Sequence, residues 1–344
     1  MTREGIAVSP SVRKASAIAY PIQGLVKYHG LKDPVRRIPF HDSISVCTGP
    51  IHTHTTFEVL DDDAAAAARQ KATGHRSSVE IDGKATTGRA FDRVQVVVDA
   101  IREKAGDDRP FRMVSRSDFP QYVGLGSSSS GFAALALAAA AAYGWKASVE
   151  ELSEVARLGA GSASRAVTGG VSEWVVEKDR SYARQLLGPD EVDWRIVVPL
   201  VQHEEPTENV HAEVTSSPLF KARVAYIPSV LAAMKKALRS KDVRQIAPVG
   251  ERDTLNLHAV TMTADSGHIT WLPSTLEVIH TVRRLRKAGV PVWFSIDTGA
   301  TAYLNTDAAH EAQVADAVKG VKGVSKILHL RPAGPAHLVD RHLF

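Results

Sequence analysis

Three charged residues in this sequence stand where a charge could do chemistry. Asp297 lies in Ser295-Ile296-Asp297-Thr298-Gly299-Ala300, after an apolar run and before a glycine turn. A carboxylate there can be desolvated and aimed into a cleft, to act as a base or to orient a hydroxyl. Asp before Thr-Gly is equally an ordinary turn former, and the motif alone leaves both readings open. Lys27 lies in Pro21-Ile22-Gln23-Gly24-Leu25-Val26-Lys27-Tyr28-His29-Gly30. A lysine among apolar neighbours must snorkel to water or meet an anion. Arg165 ends Gly159-Ala160-Gly161-Ser162-Ala163-Ser164-Arg165. It could hold a carboxylate or phosphate in a bidentate fork, or pair with a glutamate at the surface. His41-Asp42-Ser43 either caps the next strand or lines the same cleft.

A fourth stretch carries hydroxyls and backbone donors. Gly124-Leu125-Gly126-Ser127-Ser128-Ser129-Ser130-Gly131 leads directly into an Ala/Leu run. Glycines let the backbone approach a ligand closely, and a helix start offers free N–H groups and a positive dipole end. Serine hydroxyls add donors and help hold Mg²⁺. The pattern is a phosphate cradle but not a P-loop, because GxxxxGK[ST] is absent. A flexible linker is the alternative, and it fits poorly with a buried helix following at once.

The elements needed to position these residues can be read from periodicity. Residues 15–30 read as a strand entering a turn-rich segment. Segments 44–49 and 53–60 read as paired strands around a Gly-Pro break, and 61–78 as a surface excursion. Asp82-Gly83 signals a hairpin. Phe91 to Lys104 carries apolar residues at helical spacing. Residues 128–143 form an Ala-rich helix expected to be central. Another helix at 148–159 opens on Ser148 and Glu151, the capping-box spacing. Near residue 190 a second half begins with a strand, DWRIVVPLV. Helices follow at 218–240, 242–259 and 272–289. A strand–turn–strand then spans VPVWFSIDTGATAYLNT, with a helix at 308–318 and a late strand, VSKILHLRP. This mixture without βαβ alternation indicates α+β in two lobes.

Composition narrows the function classes. Hydrophobic residues make up 44% and charged residues 23%, which excludes disorder over most of the chain. The net charge of +4 is scattered over short pairs such as Arg36-Arg37, so no nucleic-acid partner is expected. The longest apolar run, Phe132 to Ala142, is too short to span a bilayer, so no membrane association is expected. A single cysteine, Cys47, excludes an intrachain disulfide, suits a cytoplasmic location and reads as a buried thiol. His52 and His54 share a strand face without a third ligand, so no protein-held metal is expected.

Taken in order, the motifs resemble the GHMP kinase superfamily and, within it, the mevalonate diphosphate decarboxylase family. That family carries N-I-A-x-I-K-Y-W-G, N-D-S-L-S-V, G-L-A-S-S-A-S-G-F-A-A-L, G-S-G-S-A-x-R-S and D-A-G-P-N. The corresponding stretches are IQGLVKYHG, HDSISV, GLGSSSSGFAAL, GAGSASRA and DTGAT. The resemblance implies the two-lobed GHMP kinase fold: an N-terminal ribosomal-protein-S5-like lobe over 1–190 and a C-terminal ferredoxin-like lobe over 191–344. It implies ATP and Mg²⁺ as cofactors, with Gly124, Gly126, Ser127, Ser128, Ser129 and Ser130 on the ATP phosphates. It also implies Asp297, Lys27 and Arg165 as catalytic residues. Tyr28, His29, Lys32, Ser162 and Arg165 would contact a phosphorylated mevalonate, in an enzyme of isoprenoid biosynthesis expected to be a homodimer.

The departures bear on the substrate. Leu31 stands where the family has lysine, with Lys32 one step later, and Ala160 replaces a serine. In the family those two residues help hold a 5-diphosphate. The pattern PIQGLVKYHG…HDSISVCT resembles the phosphomevalonate decarboxylases, which turn the 5-monophosphate into isopentenyl phosphate. That reaction is therefore the expectation, with the diphosphate reaction as the alternative. Mevalonate 3-kinases resemble the chain less, and a non-catalytic ligand-binding homologue need not keep Asp297, Arg165 and Lys27 together.

Overall fold

The computed structural model describes residues 13–61, 76–120, 124–178, 180–201 and 213–344. Most of the 61–78 excursion lies outside the described residues. Two large sheets carry the fold. The first has the order β16-β1-β6-β9-β7-β8, built from β1 (Lys14–Ala19), β6 (Thr53–Val59), β7 (Ser78–Ile81), β8 (Lys84–Ala85), β9 (Phe111–Ser117) and β16 (His337–Val339). Only β7 and β9 run parallel; the other neighbours are antiparallel. The second has the order β11-β10-β5-β15-β12-β14-β13, with β2 (Ile22–Val26) also beside β5 (Ser43–Gly49). Its other members are β10 (Val171–Val176), β11 (Ser181–Leu187), β12 (Arg195–Val201), β13 (Trp293–Ile296), β14 (Ala302–Thr306) and β15 (Val324–Pro332). A small hairpin of β3 (Leu31–Asp33) and β4 (Ile38–Pro39) stands apart.

The strands 44–49 and 53–60 do not pair with each other, contrary to the sequence expectation. β5 bonds to β2, β10 and β15, whereas β6 lies between β1 and β9. The three residues between them carry the chain from one sheet to the other. The alternation is that of a strand in either case, and partner choice is a long-range matter that local pattern does not encode. The Asp82-Gly83 hairpin forms as read, with φ of 48° and 78° at the two turn residues.

Among the described residues, four helices belong to the first half of the chain: α1 (Gly88–Ala105), α2 (Ser127–Ala142), α3 (Val149–Gly159) and α4 (Ala163–Thr168). Every residue of α2 from Ala133 to Ala142 is buried, because alanine admits neighbours on all sides. It packs on β1 and β6 and against α1, α3 and α4. The capping box at α3 forms with both bonds, Glu151 N–H to Ser148 Oγ and Ser148 N–H to the Glu151 carboxylate. In the second half, α5 (Phe220–Arg239), α6 (Val243–Met262), α7 (Pro273–Lys287) and α8 (Glu311–Lys319) flank β12, β13, β14 and β15. Cys47 is buried, and burial pushes its thiol up to about 12, so it stays protonated. The last strands return to the first: β15 joins β5, and β16 joins β1. None of the described helices is long and apolar enough to cross a membrane.

Candidate active site

β2 is the spine of the site. Its pairing with β5 shifts register between Gly24 and Val26, leaving Leu25 without a partner in the ladder. Asp297, just beyond the end of β13, takes the Gly24 N–H. Gly24 N–H donates to Asp297 Oδ1 at 3.1 Å and lies 3.3 Å from Oδ2. Only glycine allows this approach, because a Cβ at position 24 would sit 2.8 Å from Oδ1.

Lys27 follows β2 directly and turns its ammonium back. Nζ donates to Gly24 O at 2.6 Å, Ser295 Oγ at 2.7 Å and Thr254 Oγ1 at 3.1 Å, and lies 3.7 Å from Asp297 Oδ1. Burial pushes the Asp297 carboxyl above its ordinary range, with Lys27, the Gly24 N–H and Arg165 pulling it back. Burial likewise lowers the Lys27 ammonium, opposed by Asp297 and Asp253. The result is a desolvated acid–base pair whose carboxylate keeps 26% of its surface open. Such a pair can hold a hydroxyl proton or neutralise a developing negative charge.

Arg165 approaches from α4. Its backbone is fixed because its carbonyl accepts from Thr168 Oγ1 at 2.9 Å and Ser172 Oγ at 3.3 Å. Its side chain is 2% exposed, lies 5.5 Å above the Tyr28 ring and 5.4 Å above the Trp174 ring, and donates Nη1 to Ser43 Oγ. Its Nε has no acceptor, and no carboxylate is ion-paired with it among the described residues. Burial lowers it to about 10, so it is still charged at neutral pH. A buried guanidinium with an unfilled donor is suited to an anion brought by a ligand.

The glycine–serine stretch forms the start of α2. Gly124 and Gly126 adopt left-handed φ of 79° and 71°. Tyr303 Oη donates to the Gly124 carbonyl at 3.1 Å, and Gly299 packs on Gly124. The loop therefore meets the turn that follows Asp297. Ser129 and Ser130 do not face a ligand, contrary to the expectation that all four serines would. Both are 0% exposed. Ser129 Oγ donates to Gly126 O at 2.6 Å and accepts the Ile22 N–H, while Ser130 Oγ bonds Thr53 Oγ1 at 2.7 Å. These bonds tie the loop to β2 and β6. Ser127 is half-buried and Ser128 exposed, so their hydroxyls and the first N–H groups of α2 are what remains for a phosphate. This donor set fits ATP phosphates. Among the described residues no three His, Cys, Asp or Glu side chains converge on a metal position. A Mg²⁺ here would rest on phosphate oxygens with a serine hydroxyl, in keeping with the few protein ligands Mg²⁺ usually takes.

The remaining predicted residues divide. Tyr28 meets Trp174 edge-on at 5.0 Å and supports Arg165. Ser162 stands at the N-cap position of α4 without a side-chain capping bond and is half-buried. His29 is 0% exposed, with Nε2 3.5 Å from Thr261 Oγ1 on α6. Lys32 is exposed on β3, at the register shift between half-buried Leu31 and Asp33.

Four polar residues of the site were not assigned from sequence. Ser295 and Thr254 take the Lys27 ammonium, and Asp253 and Arg223 take its backbone. The signal was present on the helices. Asp253 and Thr254 share the buried face of α6 with Ile246, Gly250 and Leu257, and Arg223 shares that of α5 with Phe220 and Ile227. Charges on an apolar helical stripe need a partner.

The chain matches the family described as "Diphosphomevalonate decarboxylase-like N-terminal domain" over residues 19–184. It matches "Mevalonate 5-diphosphate decarboxylase C-terminal domain" over residues 200–331. It is 42% identical to the phosphomevalonate decarboxylase of Haloferax volcanii over 95% of this chain and 98% of that protein. The chain belongs to the mevalonate diphosphate decarboxylase family. Within this family it is 28% identical to the diphosphomevalonate decarboxylase of Eremothecium gossypii, over 92% of this chain and 83% of that protein. Among solved structures, the mevalonate diphosphate decarboxylase of Staphylococcus aureus superposes with a TM-score of 0.87 at 26% identity, covering 96% of this chain and 99% of that one. A structure of MDDEF with MVAPP, AMPPCP and magnesium superposes with a TM-score of 0.84 at 22% identity, covering 96% of this chain and 100% of that one. The family fold is the α+β GHMP kinase fold, and the chain has it.

Proposed function

We propose that the chain catalyses the ATP-dependent decarboxylation of mevalonate 5-phosphate to isopentenyl phosphate, releasing CO₂, ADP and phosphate. The observation that carries this reading is the 42% identity to a phosphomevalonate decarboxylase across nearly the full length of both chains. The geometry supplies a role for each charged group. Asp297, with its raised carboxyl, accepts or orients the proton of the substrate's tertiary 3-hydroxyl. The Lys27 ammonium, 3.7 Å away, offsets the charge that develops there. ATP with Mg²⁺, held at the start of α2, supplies the phosphoryl group that makes the 3-oxygen a leaving group. Arg165 holds the C1 carboxylate. When the C3–O bond breaks, the C1–C2 electron pair becomes the C2=C3 double bond and C1 leaves as CO₂.

Preference for one phosphate over two is supported by two departures from the family sequence: Leu31 offers no ammonium and Ala160 offers no hydroxyl. The deciding assay supplies ATP and Mg²⁺ with either the 5-phosphate or the 5-diphosphate and measures CO₂ against ADP. CO₂ from the monophosphate is expected. CO₂ only from the diphosphate identifies a diphosphate decarboxylase, ADP without CO₂ a kinase, and neither product a binding protein. A cytoplasmic homodimer with lobes meeting near residue 190 completes the proposal, supported by family resemblance and testable by sedimentation.

A further inference from the structure

β2 ends at Val26, so the ladder no longer fixes the peptide groups of Lys27. Two buried side chains from different helices fix them instead. Asp253 Oδ2, on α6, accepts the Lys27 N–H at 2.8 Å. Arg223 Nη2, on α5, donates to the Lys27 carbonyl at 2.7 Å. The two are paired to each other, Nη1 to Oδ1 at 3.1 Å, and both side chains are 0% exposed. Arg223 Nη1 also donates to Asn256 Oδ1, one turn along α6 from Asp253. Thr254, the next residue after Asp253, accepts from the Lys27 ammonium and donates its own proton to Gly250 O. Helix α6 thus grips Lys27 at both ends, by its backbone through Asp253 and by its Nζ through Thr254.

A buried ion pair is not needed for stability, since apolar residues of similar volume commonly serve as well or better. Nor does the pair serve mainly to tune charge. Asp253 favours the charged form of Lys27 and Arg223 opposes it. What the pair does provide is a rigid fork that matches one N–H and one C=O of a single residue. We propose that Arg223 and Asp253 are positioning residues that set the place of the Lys27 ammonium relative to Asp297, an inference that rests on the reading of Lys27 as part of the reacting site. Displacement of a reacting group by about 1 Å lowers turnover by roughly 100-fold.

The test compares wild type, the apolar pair Arg223→Met/Asp253→Leu, the neutral polar pair Arg223→Gln/Asp253→Asn, and Arg223→Lys. Arg223→Lys keeps a cation against Asp253 but cannot fork to both Asp253 and the Lys27 carbonyl. Each is measured for melting temperature, for kcat and KM per folded molecule, and for the Lys27 ammonium signal in ¹⁵N NMR without substrate. The apolar pair is expected to lose about 100-fold in kcat with the KM for ATP within about twofold, and to shift or broaden the Lys27 signal. The neutral polar pair keeps an acceptor for the Lys27 N–H in the amide oxygen at 253 but, with a side chain two atoms shorter at 223, loses the bond to the Lys27 carbonyl, and is expected to fall between the apolar pair and wild type in kcat. If the apolar pair does not fold, Arg223→Lys carries the same expectation. A lowered melting temperature with unchanged kcat and an unmoved Lys27 signal overturns the proposal, as does lost kcat with that signal unmoved. If the wild type releases no CO₂, the reaction assigned above falls, and the NMR arm still decides whether the pair places Lys27.

Discussion

Residues 124–131 and 159–170 are both rich in glycine and serine, and the fold uses them differently. In the first, glycines in left-handed conformation turn the chain into a 16-residue helix, with Ser127 and Ser128 left at its mouth. In the second, Gly159 and Gly161 make room for aromatic rings. A Cβ on Gly159 would lie 2.1 Å from Phe132, and one on Gly161 would lie 2.9 Å from Trp174. The helix that follows has six residues, too short for a strong dipole, and its product is the buried guanidinium of Arg165. One run presents backbone to a ligand; the other packs a side chain into place. Composition alone does not separate these uses. Their settings do: ten buried positions of alanine and leucine come after the first run, and Arg165 lies within the second.

The largest expected effect lies where the two runs converge. Gly299 beside Asp297 packs on Gly124, and Arg165 pulls on the Asp297 charge. Asp297→Asn should lower kcat by about 10³-fold or more, with ATP affinity by calorimetry within about twofold. Because burial raises the Asp297 carboxyl, the acid limb of the wild-type kcat profile should lie above the ordinary aspartate range. The folded state then holds this proton more readily than the unfolded chain, so the residue's contribution to stability falls as pH rises through that window. A kcat profile flat through the acid range would remove Asp297 from the proton step.

Arg165→Ala comes next, with about 100-fold lower CO₂ release and a raised KM for the phosphorylated mevalonate, while ATP binding changes little. Equal losses for both ligands would make the second run a support for the whole cleft and dissolve the contrast. The glycines sharpen it further. Gly159→Ala should lower stability by about 1–3 kcal/mol, because Phe132 must move. At Gly131 an added Cβ meets nothing within 4 Å. Gly131→Ala should therefore stabilise α2 by up to about 1 kcal/mol and weaken ATP binding at its open start. Thermal melts with and without nucleotide read both.

The smallest effects lie within the first run. Ser129→Ala leaves the buried Ile22 N–H without its acceptor and should cost about 1–3 kcal/mol of stability. Ser128→Ala should leave the melting temperature unchanged and weaken ATP. If the two variants behave alike, the division of the four serines into inward and outward pairs is wrong.

The helices and the phosphate-loop pattern were legible because their signals are local. The Ser148–Glu151 box, the Asp82-Gly83 turn and the alanine run each declare themselves within a few residues. The partner of β5 was not legible, because the same alternation suits any neighbouring strand. Nor was the direction of the serine hydroxyls, which depends on Ile22 and Thr53, both more than seventy positions away. Asp253 and Arg223 act on Lys27 from 226 and 196 positions away. Their helical stripes reveal that each is buried, but not what each holds.

The return of β16 to β1 has a consequence for how the chain is made. Ser16 Oγ meets His342 Nδ1 across 326 positions, in a sheet whose other strands are complete once β9 has emerged. During synthesis that sheet waits with β1 as an open edge until β16 leaves the ribosome. Contacts this distant in sequence form slowly, and an unpaired edge invites other strands meanwhile. Closing the first sheet is therefore a late event of folding, although its other strands are translated well before β16.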